Sequence, residues 1–163
     1  MSETFIQTKN LSLVLESTEK VLARIEALSP ADRAEVSPLW LTRIRSAISA
    51  DPWTHGFSIV ERASSTDIGS CGYKGPPSPE GIVEIAYGVA PEYQGRGYAT
   101  EAARALVDFA FASDLVGVVC AHTLPENNAS TRVLTKCGFG CVGEVVDPED
   151  GLVWRWELPR KAD

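Results

Sequence analysis

The sequence predicts an α+β fold in which helices and strands form three mixed layers around one sheet. Its segments follow the order strand, two helices, three strands, helix, strand, helix and two strands. No internal repeat or low-complexity tract divides the chain. Hydrophobic residues make up 44% of the 163 residues, enough for one continuous core. We therefore expect a single domain over residues 1–163.

The first third of the chain predicts one strand and two short helices. Leu11 to Leu15 alternates weakly in polarity and is typical of an edge strand. Thr18 to Leu28 has the spacing of an amphipathic helix. A second helix is expected over Ser37 to Ala50, because Pro30 and Pro38 separate it from the first.

The middle of the chain predicts three strands. Gly56 to Arg62 and Asp67 to Lys74 are short β-prone runs that read as an antiparallel hairpin. The segment GPPSPEG forbids regular structure through its three prolines. A strand over Ile82 to Ala90 follows and ends at Pro91.

The second half predicts two helices and three strands. Thr100 to Ser113 has one apolar face and predicts a helix. Val116 to His122 is an apolar run of strand length, which is typical of a strand whose two faces are both covered. Asn127 to Cys137 predicts a second helix. Phe139 to Val146 and Leu152 to Leu158 close the chain as a hairpin.

Composition and charge exclude several classes of function. A formal net charge of −7 argues against nucleic acid as a partner, because phosphate neutralisation needs basic patches. No apolar run reaches membrane-spanning length and the N-terminus has no signal-peptide core, so we expect a cytoplasmic protein without membrane partners. The four cysteines lack paired CxxC spacing and the two histidines stand apart, which predicts no metal site.

A glycine-rich turn between a strand and a helix is the clearest functional feature. Gly95 and Gly97 allow close backbone approach, and the N–H groups from Gly95 to Thr100 then point outward at a helix N-terminus. This arrangement predicts a cradle for a pyrophosphate. The spacing fits neither the dinucleotide-binding fingerprint nor the nucleoside-triphosphate loop, and a simple strand-to-helix turn is the alternative.

Two motifs together indicate a family. The segment QGRGYA, residues 94–99, fits the acyl-CoA-binding signature of the GNAT superfamily of N-acetyltransferases, which the sequence therefore resembles. VEIAYGVAPEYQGRGYATEA and PENNASTRVLTKCGF are similar to its RimJ/RimL-like branch, which acetylates ribosomal proteins and N-terminal alanines. The resemblance implies a GNAT-like fold, with a splayed, mostly antiparallel central sheet flanked by helices and acetyl-CoA in the opening.

The resemblance also assigns the residues that bind acetyl-CoA. It implies that the pantetheine arm lies along the backbone of one strand end, and that the pyrophosphate binds the N–H groups of the turn. It further implies added charge from the arginine of the turn and a cofactor contact from an asparagine near the next helix. The implied residues are Tyr87, Gly88, Val89, Gln94, Gly95, Arg96, Gly97, Tyr98, Ala99, Thr100 and Asn127.

Acetyl transfer to an amine requires a base, and a carboxylate can accept the proton directly or through water. Glu84 is the first candidate, since the histone acetyltransferase branch is similar in placing a glutamate at the matching position. Its alternative role is that of a solvated or salt-bridged strand residue. Glu149 and Asp150, in the last hairpin turn, are the other candidate bases.

The thioester carbonyl and the leaving thiolate need partners as well. The N–H of Val89 is the natural donor to the developing oxyanion. Many members of the resembled family carry a tyrosine as general acid where this chain has Leu134. RimJ/RimL-like members are similar instead in a serine, here Ser130, expected on the same helix face as Asn127. Ser130 is either that acid or a helix-start residue with local hydrogen bonds.

These features predict direct transfer of acetyl from acetyl-CoA to a primary amine in a ternary complex. The acceptor is a protein N-terminal amine or a small-molecule amine, and the resemblance allows a homodimer. The alternatives are a non-catalytic CoA-binding module, supported by Leu134, and an unrelated nucleotide-binding domain. Trp53, His55 and Phe57 either line an acceptor pocket or seal the core edge.

Overall fold

A computed structural model describes residues 4–47, 49–148 and 151–161. Within these residues, eight strands form one sheet in the order β1-β2-β3-β4-β5-β6-β8-β7. The strands are β1 Thr4–Gln7, β2 Leu11–Leu15, β3 Phe57–Glu61, β4 Thr66–Tyr73, β5 Ile82–Val89, β6 Val118–Thr123, β7 Gly140–Asp147 and β8 Gly151–Pro159. The helices are α1 Thr18–Glu26, α2 Pro30–Ala34, α3 Pro38–Ser46, α4 Tyr98–Phe111 and α5 Ala129–Lys136, with a 3₁₀ turn at Pro91–Tyr93.

The sheet is mostly antiparallel and opens between β5 and β6, which confirms the predicted class. Every described neighbouring pair is antiparallel except β5 with β6. This parallel pair holds register only from Ile82↔Val118 to Glu84↔Cys120. Beyond it, β5 continues to Val89 beside β4 while β6 continues beside β8, so the two strands separate.

Helix α4 lies beside this opening. Its buried face includes Ala103, Leu106 and Ala110, which share one apolar core with Ile59 and Val83 of the sheet. The helix starts two residues before the predicted Thr100, because Gly97 adopts φ +82° and serves as its N-cap. A left-handed torsion of this kind is easily reached only by glycine.

The first third of the chain differs from the prediction in two ways. Leu11–Leu15 is not an edge strand, because Thr4–Gln7 pairs along its outer side. There are also three short helices among the described residues up to Ser46, where two were predicted. Pro30 and Pro38 occupy the first helical turns, with serine N-caps before them, so each proline starts a helix.

The start of α5 also corrects the prediction. The helix begins at Ala129, and the Asn128 side chain caps it by accepting from the backbone N–H of Thr131 at 3.0 Å. The Thr131 hydroxyl in turn accepts from the N–H of Asn128. Asn127 therefore precedes the helix and does not share a helix face with Ser130.

Candidate functional site

The opening between β5 and β6 is a groove of about 290 Å³. Its walls come from the end of β5, the glycine turn, the start of α4 and one side of α5. The lining residues are Tyr87, Gly88, Val89, Tyr93, Gln94, Gly95, Gly97, Tyr98, Ala99, Thr100, Ala129, Ser130, Arg132, Val133 and Lys136.

Backbone donors of β5 face this groove. The N–H of Lys74 donates to the Glu84 carbonyl at 3.0 Å, and that of Ala90 donates to Ile68 at 2.8 Å. Even-numbered residues of β5 thus bond to β4, and alternation turns the N–H groups of Tyr87 and Val89 toward the groove. A strand edge exposed in this way can bind an extended, amide-containing ligand.

The glycine turn supplies a second set of backbone donors. Gly95 and Gly97 have φ of +79° and +82°, and a Cβ at either position would meet no atom within 4 Å. Gly97 makes no side-chain capping bond, so the first N–H groups of α4 keep their capacity to bind. Together with the helix dipole, they form a site suited to an anion.

Two of the predicted cofactor residues lie outside the groove lining. The Arg96 guanidinium lies 5.1 Å above the Tyr93 ring and 3.7 Å from the Glu61 carboxylate. The Tyr98 hydroxyl donates to Glu61 at 2.6 Å, and this bond is the largest cause that lowers the Glu61 pKa. Arg96 therefore holds the turn from outside, and the groove lining likewise does not include Asn127.

Glu84 lies where β5 and β6 separate and joins two basic side chains. Its Oε2 is 3.0 Å from Lys74 Nζ and 2.9 Å from His122 Nδ1. The Glu84 side chain is 20% exposed, so the carboxylate can still reach solvent or a substrate. Sequence reasoning missed Lys74 and His122, because only the strand register places them beside Glu84.

Three cavities meet at Tyr87. Besides the groove, a small cavity of about 110 Å³ runs between β5 and β6, and its lining includes Glu84, His122 and Ser130. A cavity of about 780 Å³ lies over the face of β4 and β5 and also reaches Glu84. A ligand in the groove and a second ligand on the sheet face could therefore meet beside the Glu84 carboxylate.

The large cavity has a charged floor. Buried Glu16 accepts two hydrogen bonds from the Arg24 guanidinium, at 2.5 and 2.6 Å. Ser58 also donates to this carboxylate at 3.3 Å. The Cys71 thiol lines the same cavity. Burial, and to a smaller extent the negative charge of Glu16, raise the pKa of this thiol to about 12. This thiol therefore stays protonated and is a poor nucleophile.

Of the three residues considered for an acceptor pocket, two belong to the core. Phe57 is fully buried, and the Trp53 ring packs at a tilt against the rings of Tyr73 and Phe109. His55 lines the large cavity, but its Nδ1 accepts from the backbone N–H of Asp51 and its Nε2 contacts the Thr18 hydroxyl. Both ring nitrogens are thus engaged within the fold.

The position of the family's usual acid, Leu134, and the alternative acid, Ser130, lie in different surroundings. Leu134 is fully buried in α5 and offers no polar group. Ser130 lines both the groove and the small cavity, and its carbonyl accepts from the Tyr87 hydroxyl at 3.2 Å. Burial is the largest cause that raises the pKa of Tyr87, so this hydroxyl remains protonated. The other candidate bases, Glu149 and Asp150, lie outside the described residues.

The part of the chain that the structure describes has neither a metal-binding cluster nor a membrane-spanning helix. Residues 4–47, 49–148 and 151–161 contain no group of three or more His, Cys, Asp or Glu side chains able to hold a metal ion. None of the helices in these ranges has both the length and the apolar character needed to cross a membrane.

Comparison with known proteins identifies the domain. The model of the family "Acetyltransferase (GNAT) domain" matches residues 12–140. The uncharacterized N-acetyltransferase p20 of Bacillus licheniformis is 30% identical over 102 residues, which are 63% of this chain and 57% of p20. The chain thus spans little more than half the length of this relative.

Solved structures share the fold. A GNAT-family acetyltransferase from Bacillus anthracis superposes with a TM-score of 0.68 at 21% identity, covering 98% of both chains. RimL, a ribosomal L7/L12 α-N-protein acetyltransferase in complex with coenzyme A, gives a TM-score of 0.71 at 16% identity. That match covers 99% of this chain and 100% of RimL.

Proposed function

Since the chain belongs to the acetyltransferase (GNAT) domain family, we propose that it transfers acetyl from acetyl-CoA directly to a primary amine. The observation that carries this proposal is the convergence at Tyr87 of the groove and the large cavity, with Glu84 lining the latter. The cosubstrate and the amine can then be bound together, which is the requirement for a ternary complex.

The groove suits acetyl-CoA along its length. The backbone of Tyr87, Gly88 and Val89 would bind the amide-containing pantetheine arm. The N–H groups from Gly95 to Thr100 would bind the pyrophosphate at the start of α4. Bound there, acetyl-CoA supplies a thioester as the acetyl donor.

Glu84 would accept the proton of the acceptor amine, either directly or through a water in the small cavity. Lys74 and His122 orient its carboxylate by contacts to Oε2. The Val89 N–H faces the groove and would bind the thioester oxygen as negative charge develops. One such donor contributes about 3 kcal/mol in a site shielded from water.

The thiolate would receive its proton from the wall shared by β5 and α5. Ser130 and the Tyr87 hydroxyl both lie there, and Tyr87 stays protonated because of its burial. A thiol has a pKa of about 8.5, so a weak donor is sufficient at neutral pH.

The acceptor belongs to the finer part of the proposal. We favour the RimJ/RimL-like branch and hence a protein N-terminal amine, with small-molecule amines as the alternative. The cavity over the sheet, of about 780 Å³, has three carboxylates in its lining (Glu16, Glu84 and Asp147) against two cations (Arg24 and Lys74). Its size and this excess of negative charge support an extended, cationic acceptor. We also propose a cytoplasmic location, consistent with four free cysteines.

A non-catalytic CoA-binding module is the second candidate, favoured by the apolar, buried Leu134. Release of CoA thiol from acetyl-CoA distinguishes the two functions. The acceptor panel should contain basic peptides with free N-termini, the same peptides with blocked N-termini and lysines, polyamines and aminoglycosides. Turnover that requires a free amine supports the transferase, whereas acetyl-CoA binding without turnover across the panel supports the module.

A further inference from the structure

The two ends of the groove adjoin different cavities. At its inner end, Tyr87 and Ser130 are shared with the small cavity that contains Glu84. At its outer end, Gly97, Thr100 and Lys136 are shared with a surface cavity of about 430 Å³. Lys136 lies six positions after Ser130, which corresponds to about 9 Å along the axis of α5.

The α5 wall of the groove carries two cations, which lie between Ser130 and the outer end of the groove. Arg132 and Lys136 both line the groove and lie one helical turn apart on α5. Neither side chain makes a hydrogen bond or ion pair with another residue among 4–47, 49–148 and 151–161. By contrast, Arg96 lies beside Glu61, and the Arg104 guanidinium donates to the Lys136 carbonyl at 3.0 Å.

Neighbouring carboxylates do not cancel this charge by contact. Glu101 lines the adjacent surface cavity, but its Oε2 accepts from the Asn10 N–H at 2.8 Å and its Oε1 from the Asn10 side chain at 2.9 Å. Asp108 lines the same surface cavity as Lys136, but the two side chains form no ion pair among the described residues. In a chain of net charge −7, Arg132 and Lys136 thus form a local basic patch along the α5 wall of the groove.

Coenzyme A carries a pyrophosphate and a separate phosphate on its ribose. If the thioester lies at the inner end and the pyrophosphate on the first turn of α4, the ribose phosphate lies farther out. Resting on the proposed function, we infer that Arg132 and Lys136 bind this ribose 3′-phosphate and select CoA over 3′-dephospho-CoA. A phosphate dianion can accept from both side chains at once.

Binding by isothermal titration calorimetry tests this inference without requiring turnover. The ligands are CoA and 3′-dephospho-CoA, and the proteins are wild type, Arg132→Gln, Lys136→Gln and the double variant. Glutamine has a helix propensity close to that of arginine and lysine, so α5 should remain folded. Arg45→Gln, on exposed α3, removes one charge elsewhere and is the matched control.

We expect wild type to bind CoA about tenfold more tightly than 3′-dephospho-CoA. The free energy of a hydrogen bond to a charged group corresponds to a change in Kd of about this size. Each single variant should lose part of that preference and the double variant all of it, with 3′-dephospho-CoA affinity unchanged. Equal affinity of wild type for both ligands, or equal weakening of both ligands by the variants, would overturn the inference. Failure of wild type to bind either ligand would instead contradict the proposed function.

Discussion

Oε2 of Glu84 on β5 lies 2.9 Å from Nδ1 of His122 on β6, at the point where the two strands part. Since a carboxylate only accepts, Nδ1 carries the proton of this hydrogen bond. The Lys74 ammonium, one residue after the end of β4, reaches the same oxygen at 3.0 Å. The proposed base is thus held between two donors, one on each side of β5.

Glu84→Gln should lower kcat by about 100-fold or more, because glutamine cannot accept the amine proton. The deficit should be largest at low pH, where more of the amine is protonated. Thiol release against acceptor concentration measures kcat, and calorimetry should show unchanged CoA affinity. Glu80→Gln, in an exposed loop, is the control and should keep the wild-type kcat. A wild-type kcat in Glu84→Gln would exclude Glu84 as the base.

His122→Leu should lower kcat by about tenfold, because the carboxylate loses one orienting hydrogen bond. His122→Asn can donate from near the Nδ1 position and should recover much of that loss. Both variants should leave KM for acetyl-CoA unchanged, since His122 does not line the groove. Equal losses in the two variants, in proportion to a lowered Tm, would indicate a purely structural role.

Gly88→Ala should separate function from stability. Gly88 lines both the groove and the large cavity, and a Cβ there would meet no protein atom within 4 Å. We expect an unchanged Tm but a loss of kcat/KM of about 100-fold, because the methyl group displaces the reacting groups. Gly140→Ala, on β7 and equally open, is the matched control and should retain activity.

Glu101→Gln should be destabilising only above acidic pH. Burial alone would raise the pKa of Glu101, but hydrogen bonds from Thr8 and Asn10 outweigh it and lower that pKa. A lowered folded pKa contributes stability above the unfolded pKa, about 4.3, and that stability is lost as pH falls through the folded pKa.

Thermal unfolding as a function of pH measures this effect. The Tm of Glu101→Gln should be below wild type at pH 7, and the difference should shrink as pH falls below the unfolded pKa and through the lowered folded pKa. Exposed Glu126→Gln should match wild type throughout. A Tm difference that does not shrink as pH falls would show that the Glu101 charge is not responsible.

The strands and the long helix could be predicted from the sequence because their signals are local. Periodicity located Ile82–Val89 and the body of α4, and two glycines located the turn between them. The start of α5 was misplaced because two adjacent asparagines can each cap a helix. Thr131, three residues after Asn128, settles the choice through its reciprocal bonds with Asn128.

The surroundings of Glu84 could not be predicted in the same way. Lys74 and His122 lie 10 residues before and 38 residues after it, and reach it only through the register of β4 and β6. His122 stands two residues beyond Cys120, the register partner of Glu84, so its side chain shares that sheet face. Register is a tertiary property, which a single sequence does not encode locally.

The opening in the sheet also bears on how the protein unfolds. Strands β1–β5 and β6–β8 form two half-sheets that share the pairing of Ile82–Glu84 with residues 118–120. Because α5 connects β6 to β7 in the chain, a ligand along β5 and α5 would contact both halves. Saturating CoA should therefore couple their unfolding, in addition to the stabilisation of about 2.7 kcal/mol expected at 100 times Kd. Native-state hydrogen exchange should show β6 opening independently of β4 in the free protein, and both opening as one cooperative unit when CoA is bound.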